Sequence, residues 1–235
     1  MSAINFIGGE KGGVGKSVVS RLVAQYLIDH QMPFVGFDTD RSHATFSRFY
    51  GAYASPTVID DYASLDRIAE VITEEPTRQV LVDLAAQTMP SLSRWIEDSG
   101  LLEVLAEDKI PLRFWHVMDD GKDSLTLLSN LLATYGSSVS YVVVLNHGRG
   151  ADFQAFNESE AKRTALAHGA TIVELRRLHE ASMRKIDRYD TSFWAALNHR
   201  GGEQGLGLLE RQRVKVWLAR TYEDFGRLLG TSAKA

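Results

Sequence analysis

Short apolar runs recur along the chain and alternate with stretches in which apolar residues are three or four positions apart. The runs predict six strands, over residues 4–7, 34–37, 80–83, 112–118, 141–146 and 171–175. Val and Leu dominate these runs, as is typical of strands that are buried on both faces. The helical spacing predicts helices over residues 17–30, 65–72, 125–132 and 208–229.

The alternation of buried strands with helices indicates the fold class. It predicts an α/β protein whose mostly parallel, twisted sheet is covered by helices on both faces. The chain has 235 residues and no linker-like stretch, so we expect one domain over residues 1–235. Residues 201–207 are rich in glycine and are predicted to form a loop.

The composition excludes several classes of site. The chain has no cysteine, which rules out disulfides, thiolate metal sites and thiol catalysis and is typical of a cytoplasmic protein. No apolar run approaches the roughly 18 residues of a membrane-spanning helix, so none is expected.

Charge is distributed unevenly along the chain. The formal net charge is −4, but residues 176–235 carry 12 Lys and Arg against 7 Asp and Glu. This basic end predicts an anionic partner for residues 176–235. A solvated helix surface would explain the same pattern, and the sequence leaves both explanations open.

A glycine-rich segment, Lys11 to Ser17, directly follows the first predicted strand and begins the first helix. Its glycines allow successive backbone N–H groups to turn inward around phosphate oxygens, and the helix N-terminus adds partial positive charge. Lys16 is placed to reach the β- and γ-phosphates, and the Ser17 hydroxyl to bind Mg²⁺. The usual glycine at position 10 is replaced by Glu10. These residues predict a phosphate-binding loop of Gly12, Gly13, Val14, Gly15, Lys16 and Ser17.

Three aspartates stand at the ends of predicted strands. Asp38 and Asp40 follow the second strand, and Asp83 ends the third. The carboxyl ends of parallel strands meet at one edge of a sheet, where ligands of such folds bind. We therefore expect the three carboxylates to converge on the phosphate-binding loop. Any one of them alone is equally typical of a strand-end turn or a helix cap.

The segment from Lys11 to Ser17 resembles the deviant Walker A box of the ParA/MinD superfamily of P-loop ATPases, whose mark is the early lysine at Lys11. The resemblance implies an ATPase that binds ATP and Mg²⁺ and forms a homodimer with ATP. In such a dimer Lys11 reaches the nucleotide of the partner subunit. The implied catalytic set is Lys11, Lys16 and Asp40, with Asp40 orienting the attacking water.

The same resemblance implies further ligand contacts. Ser17, Asp38 and Asp83 would form the metal site, Asp83 acting through water and Asp38 supporting either Mg²⁺ or the loop. Asn146, at the end of the fifth predicted strand, would hydrogen-bond adenine, although a strand-end asparagine is also a common turn residue. The second base-contacting loop would follow residue 175, where the proline often found in the family is missing.

Two shorter matches narrow the resemblance. Residues 37–46 and 211–215 are similar to TraL-type conjugative-transfer ATPases, and residues 177–181 are similar to ParA-type partition proteins. They imply a switch in plasmid or DNA partition, conjugative transfer or intracellular positioning. A protein partner that stimulates hydrolysis is implied as well.

The partner of the ATP state is left open by the sequence. DNA would be gripped by basic residues near the end of the chain: Arg200, Arg211, Arg213, Lys215 and Arg220. MinD-like membrane binding would use the helix over 208–229, although its apolar stripe is more typical of core packing and the polar tail 230–235 does not resemble an anchor.

Two other functions share this scaffold. An ATP-dependent metabolic ligase is an alternative, but ligases of this kind lack the lysine found here at Lys11. A non-hydrolysing adaptor would not need Asp40 and Asp83.

Overall fold

The computed structural model describes residues 2–75, 77–200 and 205–230. The first four residues of the predicted glycine-rich loop, 201–204, lie outside the described residues. So does the polar tail from residue 231 onward.

Seven strands form one sheet in the order β3-β2-β4-β1-β5-β6-β7. They are β1 (Ala3–Gly8), β2 (Phe34–Asp38), β3 (Ala54–Pro56), β4 (Gln79–Asp83), β5 (Leu112–Met118), β6 (Ser140–Asn146) and β7 (Thr171–Leu175). All six strand pairings are parallel. The predicted α/β class is confirmed, and all six predicted strands form. Strand β3 was missed because three residues at the sheet edge carry no period-2 pattern.

The described residues form eleven helices. They are α1 (Lys16–Asp29), α2 (Thr45–Phe49), α3 (Tyr62–Glu74), α4 (Met89–Asp98), α5 (Leu101–Glu107), α6 (Lys122–Tyr135), α7 (Gln154–Asn157), α8 (Glu160–Ala167), α9 (Glu180–Arg188), α10 (Phe193–Asn198) and α11 (Leu208–Leu229). The four predicted helices are present as α1, α3, α6 and α11. The seven that were missed are ten residues or shorter, too short for a clear helical period.

Two hydrophobic cores lie on opposite faces of the sheet. Phe6 of β1 faces the core that α3 to α8 cover. Its neighbour Ile7 faces the core that α1, α2 and α9 to α11 cover. Because side chains alternate along a strand, each central strand contributes to both cores, which explains its nearly continuous apolar sequence.

Helix α1 is buried much more completely than its sequence predicts. Its apolar face packs on the sheet, while α2, α10 and α11 contact its other sides. Ser20, Arg21 and Gln25 are buried as a result. The Gln25 amide oxygen accepts hydrogen bonds from the Tyr50 hydroxyl at 3.0 Å and the Trp194 N–H at 2.9 Å, which offsets the cost of burying this side chain.

The apolar side of α11 is part of the core. Val214, Trp217, Leu218 and Phe225 are buried against the rest of the protein, and the Phe225 ring meets the ring of Trp115 edge to face at 5.4 Å. Within the described residues, the helices lack the combination of length and apolar content that crossing a bilayer requires.

The strand order places a crevice beside β1. In the strand order, β2 lies on one side of β1 and β5 lies on the other side. The direction in which strands are added to the sheet therefore reverses at β1. Ligands of open α/β sheets bind beyond the strand ends at such a reversal of direction. The segment between β1 and α1, which carries the glycines, lies at this point.

Candidate nucleotide-binding site

The loop between β1 and α1 approaches its neighbours most closely at two glycines with positive φ. A Cβ on Gly9, at φ +141°, would lie 2.4 Å from the carbonyl oxygen of Val117. A Cβ on Gly15, at φ +101°, would lie 2.3 Å from Nδ2 of Asn146. A Cβ on Gly12 or Gly13 would meet no atom within 4 Å. The loop is therefore in close contact with the rest of the protein at Gly9 and Gly15, whereas Gly12 and Gly13 face open space. A phosphate-binding loop needs both features.

Lys16 lies across its own loop. Its Nζ donates a hydrogen bond to the Lys11 carbonyl oxygen at 3.0 Å. Burial lowers the pKa of Lys16, and the nearby carboxylates Asp83, Glu10 and Asp40 oppose that shift. A phosphate in the loop would supply a full counter-charge to this ammonium group.

A cavity of about 460 Å³ opens in front of the loop. Six of the predicted site residues line it: Gly12, Gly13, Gly15, Lys16, Ser17 and Asp40. The other predicted site residues, Lys11, Val14, Asp38, Asp83 and Asn146, do not line this cavity. The hydrogen bonds of these residues nevertheless help to position the walls of the cavity.

Asp83 is fully buried at the end of β4, in register with Ile7 and Asp38. The Ser20 hydroxyl donates to its Oδ1 at 2.8 Å. Burial raises the pKa of Asp83 to about 7, although Ser17 and Ser20 moderate the rise. Its Oδ2 has no partner in hydrogen-bond geometry within the described part of the chain.

The donor set fits a magnesium ion. Ser17 supplies a hydroxyl, and the unpartnered Asp83 Oδ2 is free to accept from a metal-bound water. No group of three or more His, Asp or Glu side chains suited to a metal ion occurs among the described residues. In phosphate sites Mg²⁺ keeps several waters and takes its other ligands from the phosphates, so one or two protein groups are enough to hold it.

Asp38 organises the segment that follows β2. Its Oδ1 accepts the N–H of Asp40 at 3.0 Å, and its Oδ2 accepts both the N–H and the hydroxyl of Ser47, at 2.9 and 3.1 Å. Both carboxylate oxygens are therefore engaged by the loop. The predicted contribution of Asp38 to the metal site stays a prediction.

Asp40 reaches the cavity from a tight turn. Its Oδ1 accepts the N–H groups of Ser42 at 2.9 Å and His43 at 3.1 Å, and its Oδ2 lies 3.3 Å from Nδ1 of His43. The side chain is partly exposed. These contacts hold a carboxylate at the wall of the cavity that the phosphate loop also lines.

Thr39, between these aspartates, was not singled out in the sequence. Its N–H and hydroxyl both donate to the Asp83 carbonyl oxygen, at 3.0 and 3.1 Å. Its hydroxyl also accepts the N–H of Ala85 at 2.8 Å. Thr39 therefore couples the segments that follow β2 and β4, so that neither can shift alone.

Lys11 is bound within its own chain. Its Nζ lies 2.7 Å from Oδ2 of Asp119, at the end of β5. This hydrogen bond raises the pKa of Lys11. Burial alone would raise the pKa of Asp119, but hydrogen bonds from Lys11, Ser124 and the Gly121 N–H hold it below its usual value. The pair is partly exposed, so Lys11 can exchange partners.

Glu10, the departure from the usual motif, contacts the helix after β4. Its Oε1 accepts the N–H of Met89, the first residue of α4, at 2.7 Å. A carboxylate is favourable at a helix N-terminus. The residue thereby ties the phosphate loop to α4.

Asn146 holds the phosphate loop from the side of β6. Its Nδ2 donates to the Val14 carbonyl oxygen at 2.7 Å, and its Oδ1 accepts the N–H of Gly148 at 2.9 Å. An amide group has capacity for further hydrogen bonds, and Asn146 also lines a second cavity. Its predicted contact with adenine therefore remains open.

The second cavity, of about 340 Å³, adjoins the first. Leu175, Arg176, Arg177 and Leu178 line it, so the loop after β7 reaches the pocket without a proline. Val18, Arg149 and Asp187 line both cavities. A triphosphate in the first cavity and a base in the second would fill one continuous pocket.

Charged residues of this pocket that were missed in the sequence include Arg21, Arg149 and Asp187. A signal existed for Arg21, because it stands among apolar residues in the helical pattern of α1. Nothing local distinguishes the other two, which folding alone brings to the pocket.

Comparison with known proteins finds distant relatives. No family model matches the chain. An alignment 234 positions long gives 25% identity to protein TraL of Escherichia coli. It covers 92% of this chain and 94% of that protein. The chain is 26% identical to protein MobD of Acidithiobacillus ferrooxidans over 174 residues, which cover 73% and 76%.

Two solved structures share the fold. The septum site-determining protein MinD of Pyrococcus horikoshii OT3, complexed with Mg-ADP, aligns over the whole of both chains with a TM-score of 0.56 and 16% identity. The MinD cell division protein of Aquifex aeolicus aligns over 94% of this chain and 97% of that one, with a TM-score of 0.55 and 12% identity. The predicted resemblance is confirmed at the level of the fold: at these identities the two MinD structures show that the α/β fold is shared.

The buried carboxyl of Asp83 predicts a pH-dependent stability. An ordinary aspartate titrates near 3.9 when unfolded, whereas Asp83 titrates at about 7 when folded. The folded state therefore holds a proton that the unfolded state has lost, and stability falls as pH rises from 4 to 7. In the absence of nucleotide and Mg²⁺, the stability advantage of Asp83→Asn should grow by a few kcal/mol over this range, at about 1.4 kcal/mol per pH unit, and level off above pH 7.

Urea denaturation at several pH values measures this difference. Asp108→Asn, at an exposed position of the same chain, is the matched control. An advantage of Asp83→Asn that does not change with pH would contradict the assignment.

Proposed function

We propose that this protein is an ATP-dependent, dimerising ATPase switch of the ParA/MinD type. Its process would be conjugative transfer, plasmid or DNA partition, or intracellular positioning. One observation carries the proposal: Lys16, Ser17 and Asp40 line a single cavity, with the buried carboxyl group of Asp83 beside Ser17. The likeness to TraL and MobD, and the Mg-ADP complex of the MinD structure, support it.

Binding of ATP follows from the loop. The backbone N–H groups from Gly12 to Gly15 and the Lys16 ammonium group surround the β- and γ-phosphates. Ser17 and Asp83 hold Mg²⁺, with Asp38 keeping the adjacent loop in place. The ion, when bound, neutralises charge on the phosphate oxygens. Asn146 and the loop after β7 take the base.

Hydrolysis requires an oriented water and a compensated transition state. Asp40 orients the water, and Lys16 offsets the charge that develops on the phosphate oxygens. Lys11 of a second subunit does the same from across the homodimer. In the single chain Lys11 binds Asp119 instead. On dimerisation, Lys11 would therefore exchange the carboxylate of Asp119 for a phosphate of the nucleotide bound to the other subunit.

The γ-phosphate then controls assembly. Because it binds the dimer better than the monomer, its loss on hydrolysis releases the subunits. A protein partner that stimulates hydrolysis would set the lifetime of the ATP state. We place this cycle in the cytoplasm.

DNA is the proposed partner of the ATP state. Arg213 and Arg220 are seven residues apart on one side of α11 and line an exposed groove together with Arg176 and Arg177. Arg211 and Lys215 lie on another side of the helix, because 100° separates successive residues. The basic residues predicted as one patch therefore lie on more than one surface. The groove contains four arginines, of which Arg213 and Arg220 belong to the predicted patch.

The alternatives have less support. MinD-like membrane binding would need the apolar side of α11, which the core takes up. An ATP-dependent ligase would need turnover that depends on a single metabolite. Flotation with liposomes and a metabolite screen would detect either activity.

Lys16→Ala tests the nucleotide site. Removing the ammonium group deletes charge-assisted hydrogen bonds worth about 1.5–3 kcal/mol each, so ATP affinity should fall on the order of 100-fold. Isothermal titration calorimetry with a non-hydrolysable ATP analogue and Mg²⁺ measures it. Unchanged affinity in a variant that still folds would refute the site.

Asp40→Ala should separate binding from hydrolysis. We expect ATP to bind, turnover to drop about 100-fold or more, and dimers to accumulate. Light scattering with ATP should give twice the monomer mass.

Lys11→Ala is the opposite case: it should bind ATP but remain a monomer, and ATP-dependent dimers of Lys11→Ala would remove the cross-subunit role.

Salt dependence tests the DNA groove. Replacing both Arg213 and Arg220 by Ala should weaken binding of the Asp40→Ala dimer to plasmid DNA and reduce the slope of log K against log salt by about 2. The matched control replaces Lys162 and Arg163 of α8 by Ala, on the other face of the sheet. Equal losses for both double variants would indicate general charge and not this groove.

A further inference from the structure

The boundary between the two cavities is where the ribose of a bound nucleotide must lie. In a nucleoside triphosphate the ribose joins the phosphates to the base. Val18, Arg149 and Asp187 line both cavities and so define the boundary. The proposed function uses none of these three side chains.

Asp187, on α9, presents a carboxylate at this boundary. Its Oδ1 accepts a hydrogen bond from Nη1 of Arg21 at 2.8 Å. Its Oδ2 meets no hydrogen-bond donor among the residues that the structure describes, and 49% of the side chain is exposed. The group is therefore held at one oxygen and accessible at the other.

Arg21 is the fixed part of this arrangement. Its side chain is 2% exposed, and its guanidinium carbon lies 3.7 Å from the centre of the Phe49 ring. Its Nε and Nη2 have no hydrogen-bond partner within the described residues. Burying this arginine leaves two of its nitrogen atoms without hydrogen-bond partners in the described part of the chain and gains one ion pair with a half-exposed carboxylate. Such an ion pair contributes little to the stability of the fold. Such a cost is commonly kept where a group must be held in position.

We propose that Asp187 accepts hydrogen bonds from the ribose hydroxyls of the bound nucleotide and that Arg21 is the residue that positions it. The proposal rests on the nucleotide site proposed above. Carboxylates recognise ribose hydroxyls in other nucleotide-binding α/β folds, because an ionised carboxylate only accepts and a hydroxyl donates.

Arg149 makes a carboxylate tolerable so near the phosphates. Its side chain lies beside Gly15, with Cγ 3.9 Å from the position of a Cβ there. It forms no ion pair with a described residue. Its positive charge offsets the repulsion between Asp187 and the phosphate chain.

Deoxynucleotides provide the test. ADP, 2′-deoxy-ADP and 3′-deoxy-ADP are titrated into the full chain with Mg²⁺ by calorimetry. A hydrogen bond to a charged acceptor predicts that ADP binds roughly 10- to 100-fold more tightly than at least one deoxy form. In Asp187→Asn, which can still accept from Arg21, the preference should fall to about threefold or less, because the remaining bond is uncharged.

Two further variants separate recognition from folding. Asp224→Asn is the matched control, since Asp224 pairs with Arg227 at 3.4 Å and neither residue lines either cavity; its preference for ADP should equal that of the wild type. The double variant Arg21→Met, Asp187→Ala removes both charges and avoids leaving one buried alone. It should bind all three nucleotides with similar affinity.

The outcomes distinguish this proposal from the one it rests on. Loss of the ribose preference in Asp187→Asn and in the double variant, but not in Asp224→Asn, supports the proposal. Tight ADP binding without discrimination by the wild type overturns it and leaves the ATPase proposal standing. Weaker binding of Asp187→Asn with an unchanged preference also overturns it, because a merely structural role would act in this way. Absence of any nucleotide affinity in the wild type would defeat both proposals.

Discussion

The parallel pairing of β1, β2 and β4 is the constraint on which the site depends. In the register of these strands Asp83 stands level with Ile7 and Asp38, just below the phosphate loop. Since parallel strands end at the same edge, segments far apart in sequence begin there side by side. Thr39 then bonds the ends of β2 and β4 directly, so the aspartates hold fixed positions relative to the loop.

Most polar groups behind the cavity have hydrogen-bond partners, but Asp83 and Arg21 each keep buried polar atoms that have none among the described residues. Asp38 and Asn146 use their side chains to hold the loops, and the positions of the cavity walls follow from these bonds. Asp83 keeps one buried oxygen without a partner, which costs stability at neutral pH. Hydrogen bonds from the waters of a bound ion would relieve that cost and would therefore contribute to the affinity for the ion.

The charged residues of the pocket divide into two sets. Lys16, at the start of α1, and Asp40, just after β2, line the cavity beside the strand ends and suit phosphate chemistry. Arg21 and Asp187 face it from α1 and α9, elements whose association depends on the packing of α10 and α11. The basic end of the chain, residues 176–235, therefore helps to build the proposed nucleotide pocket in addition to the groove proposed for DNA.

The sequence by itself determined six of the seven strands, the glycine-rich loop between the first strand and the first helix, and the fold class, because these depend on spacing within roughly ten to twenty residues. It also identified the strand-end aspartates, whose convergence follows from a parallel sheet. Their catalytic and metal-binding roles stay predictions. Tertiary structure alone decided that Lys11 binds Asp119, that Asn146 holds Val14, and that Arg21 meets Asp187. These pairs are more than 100 residues apart, and no local pattern records which distant side chains folding brings into contact.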